Sequence, residues 1–160
     1  MAKRISLRRA RLGDVEALQV LLREGDDVHR AHLPGLKRAA EADVPLERLA
    51  AWVTKPETLL LVATIDDSVC AFLRATAGDF GGGRLHQPER WVSVDEVVVT
   101  ARARRQGLAR ALMGEVPGWA REVGATAAYL NVYDFNRDAI ALYHSLGWQD
   151  LRRTLRLETD

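Results

Sequence analysis

Val97-Val98-Val99-Thr100-Ala101-Arg102-Ala103-Arg104-Arg105-Gln106-Gly107-Leu108-Ala109-Arg110 is the stretch whose reading decides the fold. A β-branched run ends in a short arginine-rich loop, and a single glycine leads from there into an apolar-periodic helix. That order gathers backbone N–H groups, the positive end of a helix dipole and several guanidiniums at one point. An anion, above all a phosphate, is what such a point binds best.

The surrounding chain is that of an ordinary soluble domain. Its 160 residues are 48% hydrophobic and 28% charged, with a formal net charge of +1, which predicts one domain over residues 1–160 with a single core. Charge so close to neutral provides no global field for nucleic acid, so any basic recognition is local. Arginine far outnumbers lysine, a bias of composition rather than a site. Cys70 is the sole cysteine; it excludes an intrachain disulfide and reads as a small core residue. No apolar run approaches the ~20 residues of a membrane span and no leader-like apolar segment follows Met1, so a cytoplasmic location is expected.

Working towards the N-terminus, residues 4–8 alternate as a strand. Asp14 is the expected N-cap of a helix with Val15, Leu18, Leu21 and Leu22 at helical spacing, running towards His29 and broken by Pro34-Gly35. Pro45 opens a second helix with Leu46, Leu49, Ala50 and Val53 on one face. Residues 58–65 form a continuous apolar run, the pattern of a buried strand. Asp66-Asp67-Ser68 turns it into a second strand over 69–75. Residues 78–88 are glycine-rich without the spacing of a dinucleotide or P-loop fingerprint; they read equally as a mobile loop beside a substrate or as a solvated hairpin tip.

Residues 91–100 are a strand, and 105–123 a helix with Leu108, Leu112, Val116 and Trp119 inward, interrupted oddly by Pro117-Gly118. A strand over 126–132, a helix over 136–146 closed by Gly147, and an alternating strand over 151–157 complete the order βααβββαβαβ. This is an α/β chain with a mixed sheet and helices on both faces.

Two segments then carry a resemblance. Arg104-Arg105-Gln106-Gly107-Leu108-Ala109 fits the pattern Gln or Arg, two residues, Gly, one residue, Gly or Ala. Residues 129–148, Tyr-Leu-Asn-Val-Tyr-Asp-Phe-Asn-Arg-Asp-Ala-Ile-Ala-Leu-Tyr-His-Ser-Leu-Gly-Trp, combine a strand, an asparagine-led helix, a Leu-Tyr pair and a closing Gly-aromatic. Together, in this order, they resemble the GCN5-related N-acetyltransferase (GNAT) superfamily over nearly the whole domain.

The resemblance implies a mixed sheet of six to seven strands flanked by helices. It also implies direct transfer of acetyl from acetyl-CoA to a primary amine of a small molecule, peptide or protein, with no metal. In that superfamily the amides of Arg105, Gln106, Gly107, Leu108 and Ala109 match those that cradle the pyrophosphate, where Arg104 and Arg110 add charge or merely face solvent. The backbone of Val97, Val98 and Val99 matches a strand that in the superfamily carries a bulge and splays from the next one, so that pantetheine lies along it, although an ordinary core strand would show the same residues. Asn136 matches a cofactor contact and is equally an N-cap. Tyr143 matches the tyrosine beside the thioester sulfur, or is a packed core tyrosine.

Glu96, with Asp95 second, is the candidate base, as the resemblance sets each beside the acetyl group at the strand's bulge; alternation turns only one of the pair to the substrate side, and the bulge leaves the choice open. The acceptor is expected between the first two helices and the glycine-rich loop, a region that includes His29, His32 and Pro34. Acidic Glu24, Asp26 and Asp27 there either attract a cationic amine or are simply solvated. Homodimerisation, common in the superfamily, would use a patch of Trp148 with Leu151, Leu155 and Leu157, residues that serve a core equally well. A coenzyme-A-binding sensor without turnover is the alternative function. A nucleic-acid binder using the arginine cluster is disfavoured, since no aromatic platform accompanies it.

Overall fold

The computed structural model of the protein describes residues 4–38 and 42–159. Five strands form one mixed sheet in sequence order: β1 (Ile5–Arg9), β2 (Thr58–Ile65), β3 (Ser68–Phe80), β4 (Glu89–Val99) and β5 (Ala127–Leu130). The first four pair antiparallel, and β5 runs parallel to β4. Helices α1 (Val15–His32) and α2 (Leu46–Thr54) cover one face. Helices α3 (Leu108–Gly114), α4 (Val116–Glu122) and α5 (Arg137–Ser145) cover the other. None of the described helices is long and apolar enough to cross a membrane.

Alternation along β2 builds both cores at once. Leu59, Leu61 and Ala63 pack with Leu108, Leu112, Val116 and Trp119, whereas Leu60 and Val62 pack with Leu18, Leu21, Leu49 and Phe72. A strand buried on both faces has no polar positions to spare, which is why its sequence is a continuous apolar run. The β2–β3 turn places Asp66 and Asp67 at φ 48° and 67°, the paired left-handed geometry that joins two twisted antiparallel strands in a two-residue loop.

The chain departs from its sequence reading at five points. Strand β3 continues to Phe80, where it pairs with Glu89, so the glycine-rich stretch is a hairpin tip at residues 81–88. This tip lies at the opposite end of β4 from Val97–Val99, roughly 30 Å away at ~3.3 Å per residue. The helix expected over 105–123 is two helices, parted at Glu115, with Pro117 in the first turn of α4. Proline is tolerated there because its missing N–H has no helical acceptor anyway.

Asp14 precedes α1 but caps no helix amide. Its carboxylate accepts from the Arg11 N–H (2.7 Å) and from both terminal nitrogens of Arg8 (2.7 and 2.9 Å). Finally, residues 151–157 form no strand, and the sheet has five strands rather than six or seven. Leu151, Leu155 and Leu157 are exposed, and Asp150 is drawn to His144 on α5 (2.9 Å). Alternation alone does not make a strand; a ladder partner is needed, and among the described residues the segment meets none. Trp148, grouped with those leucines in the sequence reading, packs instead into the core beside Tyr143.

Gly78 in β3 is fixed by its neighbour across the sheet. Trp91 pairs with it and lays its ring over the glycine, so that an added Cβ would fall 2.5 Å from the indole. Gly78→Ala should displace Trp91 and destabilise the fold by about 1–3 kcal/mol, read as a lowered urea midpoint with unchanged m-value. An unshifted midpoint would show that the indole moves aside freely.

Candidate active site

Strand β4 is regular only for its first half. Val92 and Val94 face the α3/α4 core and so do Val97 and Val99, leaving one residue too many between them. The register against β3 shifts at the same place, between Arg74 and Ala75. This is a β-bulge at Asp95. Its first consequence is that Asp95 and Glu96 turn to the same face instead of opposite ones. Both grip Arg74: Glu96 takes the guanidinium in a two-pronged pair with its Nε and Nη2, and Asp95 lies 3.1 Å from Nη1. Arg74 in turn stacks over Trp52 of α2, 4.4 Å from the ring centre. The expected choice between the two carboxylates is therefore replaced by a shared commitment. Neither is unpaired.

The second consequence is an opening in the sheet. Strand β5 pairs with β4 only from Trp91 to Val94, so beyond the bulge Val97–Val99 are bonded on the β3 side alone. Thr100 N–H donates to Cys70 O on β3 (2.9 Å), and alternation of the ladder then turns the N–H groups of Val97 and Val99 towards the opening. Arg104 Nε approaches Val99 O (3.4 Å) from that same side.

At the mouth of the opening the chain makes a tight left-handed turn, with φ 60° at Arg105 and 81° at Gly107, before entering α3. The N–H groups of Arg105, Gly107, Leu108, Ala109 and Arg110 have no acceptor among the described residues; the first α3 bond is Ala111 N–H to Gly107 O (2.9 Å). Successive amides around left-handed residues form a concavity suited to an anion. No described atom lies within 4 Å of where a Gly107 Cβ would stand, so the glycine answers to its positive φ and to space kept open, not to a protein neighbour. Gln106 donates to Arg102 O (3.4 Å) and braces the turn. The arginines divide: Arg110 ties α3 to α5 through Ser145 Oγ (2.7 Å), while Arg105 is 84% exposed, 3.7 Å from Asp138.

Asn136 stands at the start of α5, and its carbonyl accepts from Ile140 N–H (3.0 Å), but its side chain caps no helix amide. The side-chain cap expected there is not made. Tyr143 is half-buried against the α3/α4 core beside Trp148. Its hydroxyl has no hydrogen-bond partner among the described residues, and burial raises its pKa above the ordinary 10.0. The group remains a neutral proton donor throughout the physiological range.

Helix α1 spans the opening. Glu24 accepts from Thr100 Oγ1 (3.0 Å) and Ala101 N–H (3.2 Å), and Gly25 packs its backbone directly on Val98. One turn later His29 meets Tyr133 and Phe135, edge to face at 5.6 and 5.7 Å. Beside His29 and Tyr133 lies a cavity of about 320 Å³, lined also by Asp26, Lys37 and Arg38. Glu24 thus has a structural place, Asp26 is exposed at the cavity's edge, and Asp27 forms an exposed pair with Arg30.

A sequence model of the "Acetyltransferase (GNAT) family" matches residues 26–148, a span that contains the bulge, the turn and α5. The chain belongs to that family. Within the GNAT fold, similar solved structures include a single-residue mutant of the BH1408 protein from Bacillus halodurans (24% identity, 96% of this chain and 99% of the other, TM-score 0.88). A transcriptional regulator from Bacillus halodurans C-125 is also similar (21%, 98% and 100%, TM-score 0.74). A third is the aminoglycoside N-acetyltransferase AAC(6')-Iy in complex with CoA (16%, 99% and 97%, TM-score 0.72). These likenesses establish the fold. A search of curated proteins returned no match.

Arg74 and Trp52 were not legible as site residues. An arginine following an apolar run reads as a strand end, and only the bulge brings both carboxylates to it.

Proposed function

We propose that the protein is an N-acetyltransferase that takes acetyl from acetyl-CoA and passes it directly to a primary amine. The observation that carries this reading is the opening of β4 from β5 beyond Val94, which ends at a turn of unpaired amides. The two features form one continuous surface, with strand-edge hydrogen-bonding groups along its length and an anion cradle at its end. Coenzyme A has the same layout, an amide-bearing arm ending in a pyrophosphate, and AAC(6')-Iy, of the same fold, was solved with it.

The residues divide the work. Amides of the 105–110 turn, with Arg104 beside them, hold the pyrophosphate, and Val97 and Val99 offer backbone groups to the arm as an added strand would. The thioester supplies an activated acetyl carbon. The Val99 N–H, turned into the opening, is placed to stabilise negative charge on the carbonyl oxygen. The uncommitted side chain of Asn136 is a further contact for the arm. Tyr143 delivers a proton to the departing sulfur, and burial keeps the phenol protonated and so able to give it. Because that same burial raises its pKa above the ordinary 10.0, the transfer to a thiolate of ordinary pKa about 8.5 is uphill.

The reading is tested by calorimetric binding of CoA together with thiol release from acetyl-CoA over a panel of primary amines. Saturable binding with release is expected; binding without release from any amine would make the protein a CoA sensor. Gly107→Val should weaken CoA by at least tenfold, or about 1.4 kcal/mol, because a β-branched residue resists the left-handed conformation and fills the space above the turn. Unaltered affinity in a folded Gly107→Val protein would remove the turn from the binding site.

A further inference from the structure

We propose that the acceptor, a small primary amine, approaches through the cavity between α1 and the segment following β5, and that Nε2 of His29 removes the proton its ammonium must lose. This rests on the acetyl-transfer reading and supplies the base that reading lacks.

Four observations lead to it. The carboxylates nearest the opening are engaged. Glu96 is held two-pronged by Arg74, and Asp95 shares that guanidinium while also accepting from Thr76 (2.9 Å). Second, His29 stands one helical turn beyond Gly25, the point at which α1 touches Val98, so the imidazole lies about 6 Å along the helix from the β4 contact.

Third, His29 Nδ1 is 2.8 Å from Gly25 O. A carbonyl oxygen only accepts, so Nδ1 carries the proton, and in the neutral ring Nε2 is left as a bare lone pair. Nε2 has no partner among the described residues. Fourth, the ring lines the cavity of about 320 Å³ and is held there by Tyr133 and Phe135. Small-ligand sites span roughly 300–1,000 Å³, and this cavity, at the lower end of that range, has room for a compact amine.

His32 is a contrast within the same helix. Its Nδ1 is committed in the same way, to Val28 O at 2.8 Å. Its ring, however, is exposed and stacked flat on Phe135 at 4.4 Å, and it does not line the cavity.

The step balances. The substrate ammonium gives one proton to Nε2, leaving a neutral amine and an imidazolium. The amine nitrogen forms a bond to the acetyl carbon, the carbon–sulfur bond breaks, and the sulfur takes a proton from Tyr143. The proton shed by the new amide nitrogen restores the tyrosine, and the imidazolium returns its own to solvent. The charged and titratable groups facing the ring are Asp26 and His32 on α1, Lys37 and Arg38 from the loop that follows, and Tyr133 from the segment beyond β5.

The test uses the full chain with acetyl-CoA and three probes: 2-phenylethylamine, spermidine and glycinamide. Two-bond ¹H–¹⁵N spectra of the protein alone should show His29 protonated at Nδ1 in its neutral form; a proton on Nε2 overturns the proposal. In wild type, kcat should fall at acidic pH with one ionisation. His29→Gln should abolish that limb and lower kcat at its plateau by roughly 10²-fold, within the usual range for loss of a general base. KM for acetyl-CoA and CoA affinity should hold, showing that the variant is folded. Free imidazole should partly restore His29→Ala, which a merely structural role would not allow. His32→Gln and Glu96→Gln should retain the limb.

If turnover occurs and the limb survives His29→Gln, or disappears in Glu96→Gln, His29 is not the base while the acetyl-transfer reading stands. If CoA binds and none of the three amines is acetylated, the assignment of this cavity to small amines falls. If CoA does not bind, both readings fall together.

Discussion

Replacing Tyr143 with phenylalanine is expected to lower kcat for acetyl transfer by roughly 10²-fold, the scale of a lost proton donor, and to leave the affinity for CoA nearly unchanged. The substitution removes one oxygen and keeps the ring. Packing against Trp148 and the α3/α4 core is therefore retained. Because the hydroxyl has no protein partner among the described residues, its removal strands no buried acceptor, and thermal stability should hold. The pH dependence separates roles further. Burial keeps the phenol protonated past its ordinary 10.0, so no loss of activity from tyrosine ionisation is expected up to at least pH 9. A phenylalanine variant with wild-type kcat would reduce Tyr143 to a core residue.

The largest effect on stability is expected at Asp14. Asp14→Ala should cost about 2–4 kcal/mol, because it leaves Arg8 partly buried without its counter-charge and the Arg11 amide without its acceptor. Arg8 is 29% exposed and Asp14 only 10% by side chain, which places the pair between a surface bridge and a sealed one. The cost should depend on pH in a definite direction. Hydrogen bonding from Arg8, opposed by burial and aided by the Arg11 N–H, holds the Asp14 carboxyl below its ordinary 3.8. A depressed carboxyl contributes fully above the unfolded value and loses its contribution as pH falls through the folded one. The difference in urea midpoint between wild type and Asp14→Ala should thus be constant from neutrality to about pH 5 and shrink below pH 4. A gap independent of pH would mean that packing, not charge, is lost.

Much of this architecture is legible in the chain because local rules and tertiary structure agree. Strand β2 is bounded in the sequence where it is bounded in space, since Lys55-Pro56 and Asp66-Asp67 are turn residues around an unbroken apolar run. The 104–110 turn is readable for a similar reason: Gly107 marks a left-handed residue between a strand and a helix.

What escapes is decided by one residue of register. The bulge in β4 is implied by the resemblance, but nothing in the alternation of Asp95 and Glu96 shows that it puts both on one face as partners of Arg74. Pro117 looks like a flaw in one long helix until the chain is seen to start a second. Asp14 and Asn136 occupy the positions that capping residues favour, yet Asp14's carboxylate answers to a stronger partner in Arg8, and the Asn136 side chain is left uncommitted.

The segment after Trp148 poses a problem of solubility. Leu151, Leu155 and Leu157 alternate in the manner of a strand and stand in water, the composition from which chains template one another edge to edge. Arg152, Arg153 and Arg156 lie among them, so stacking like segments would bring like charges together at ladder spacing. Charges so interleaved are of the gatekeeper type that opposes such stacking, with Arg156 also paired to Glu158 (3.4 Å). The β5 strand, at four residues, offers only a short edge for such a segment to add to. The arginines that read as a bias of composition thus stand where they oppose edge-to-edge stacking of an apolar repeat that meets no ladder partner among the described residues.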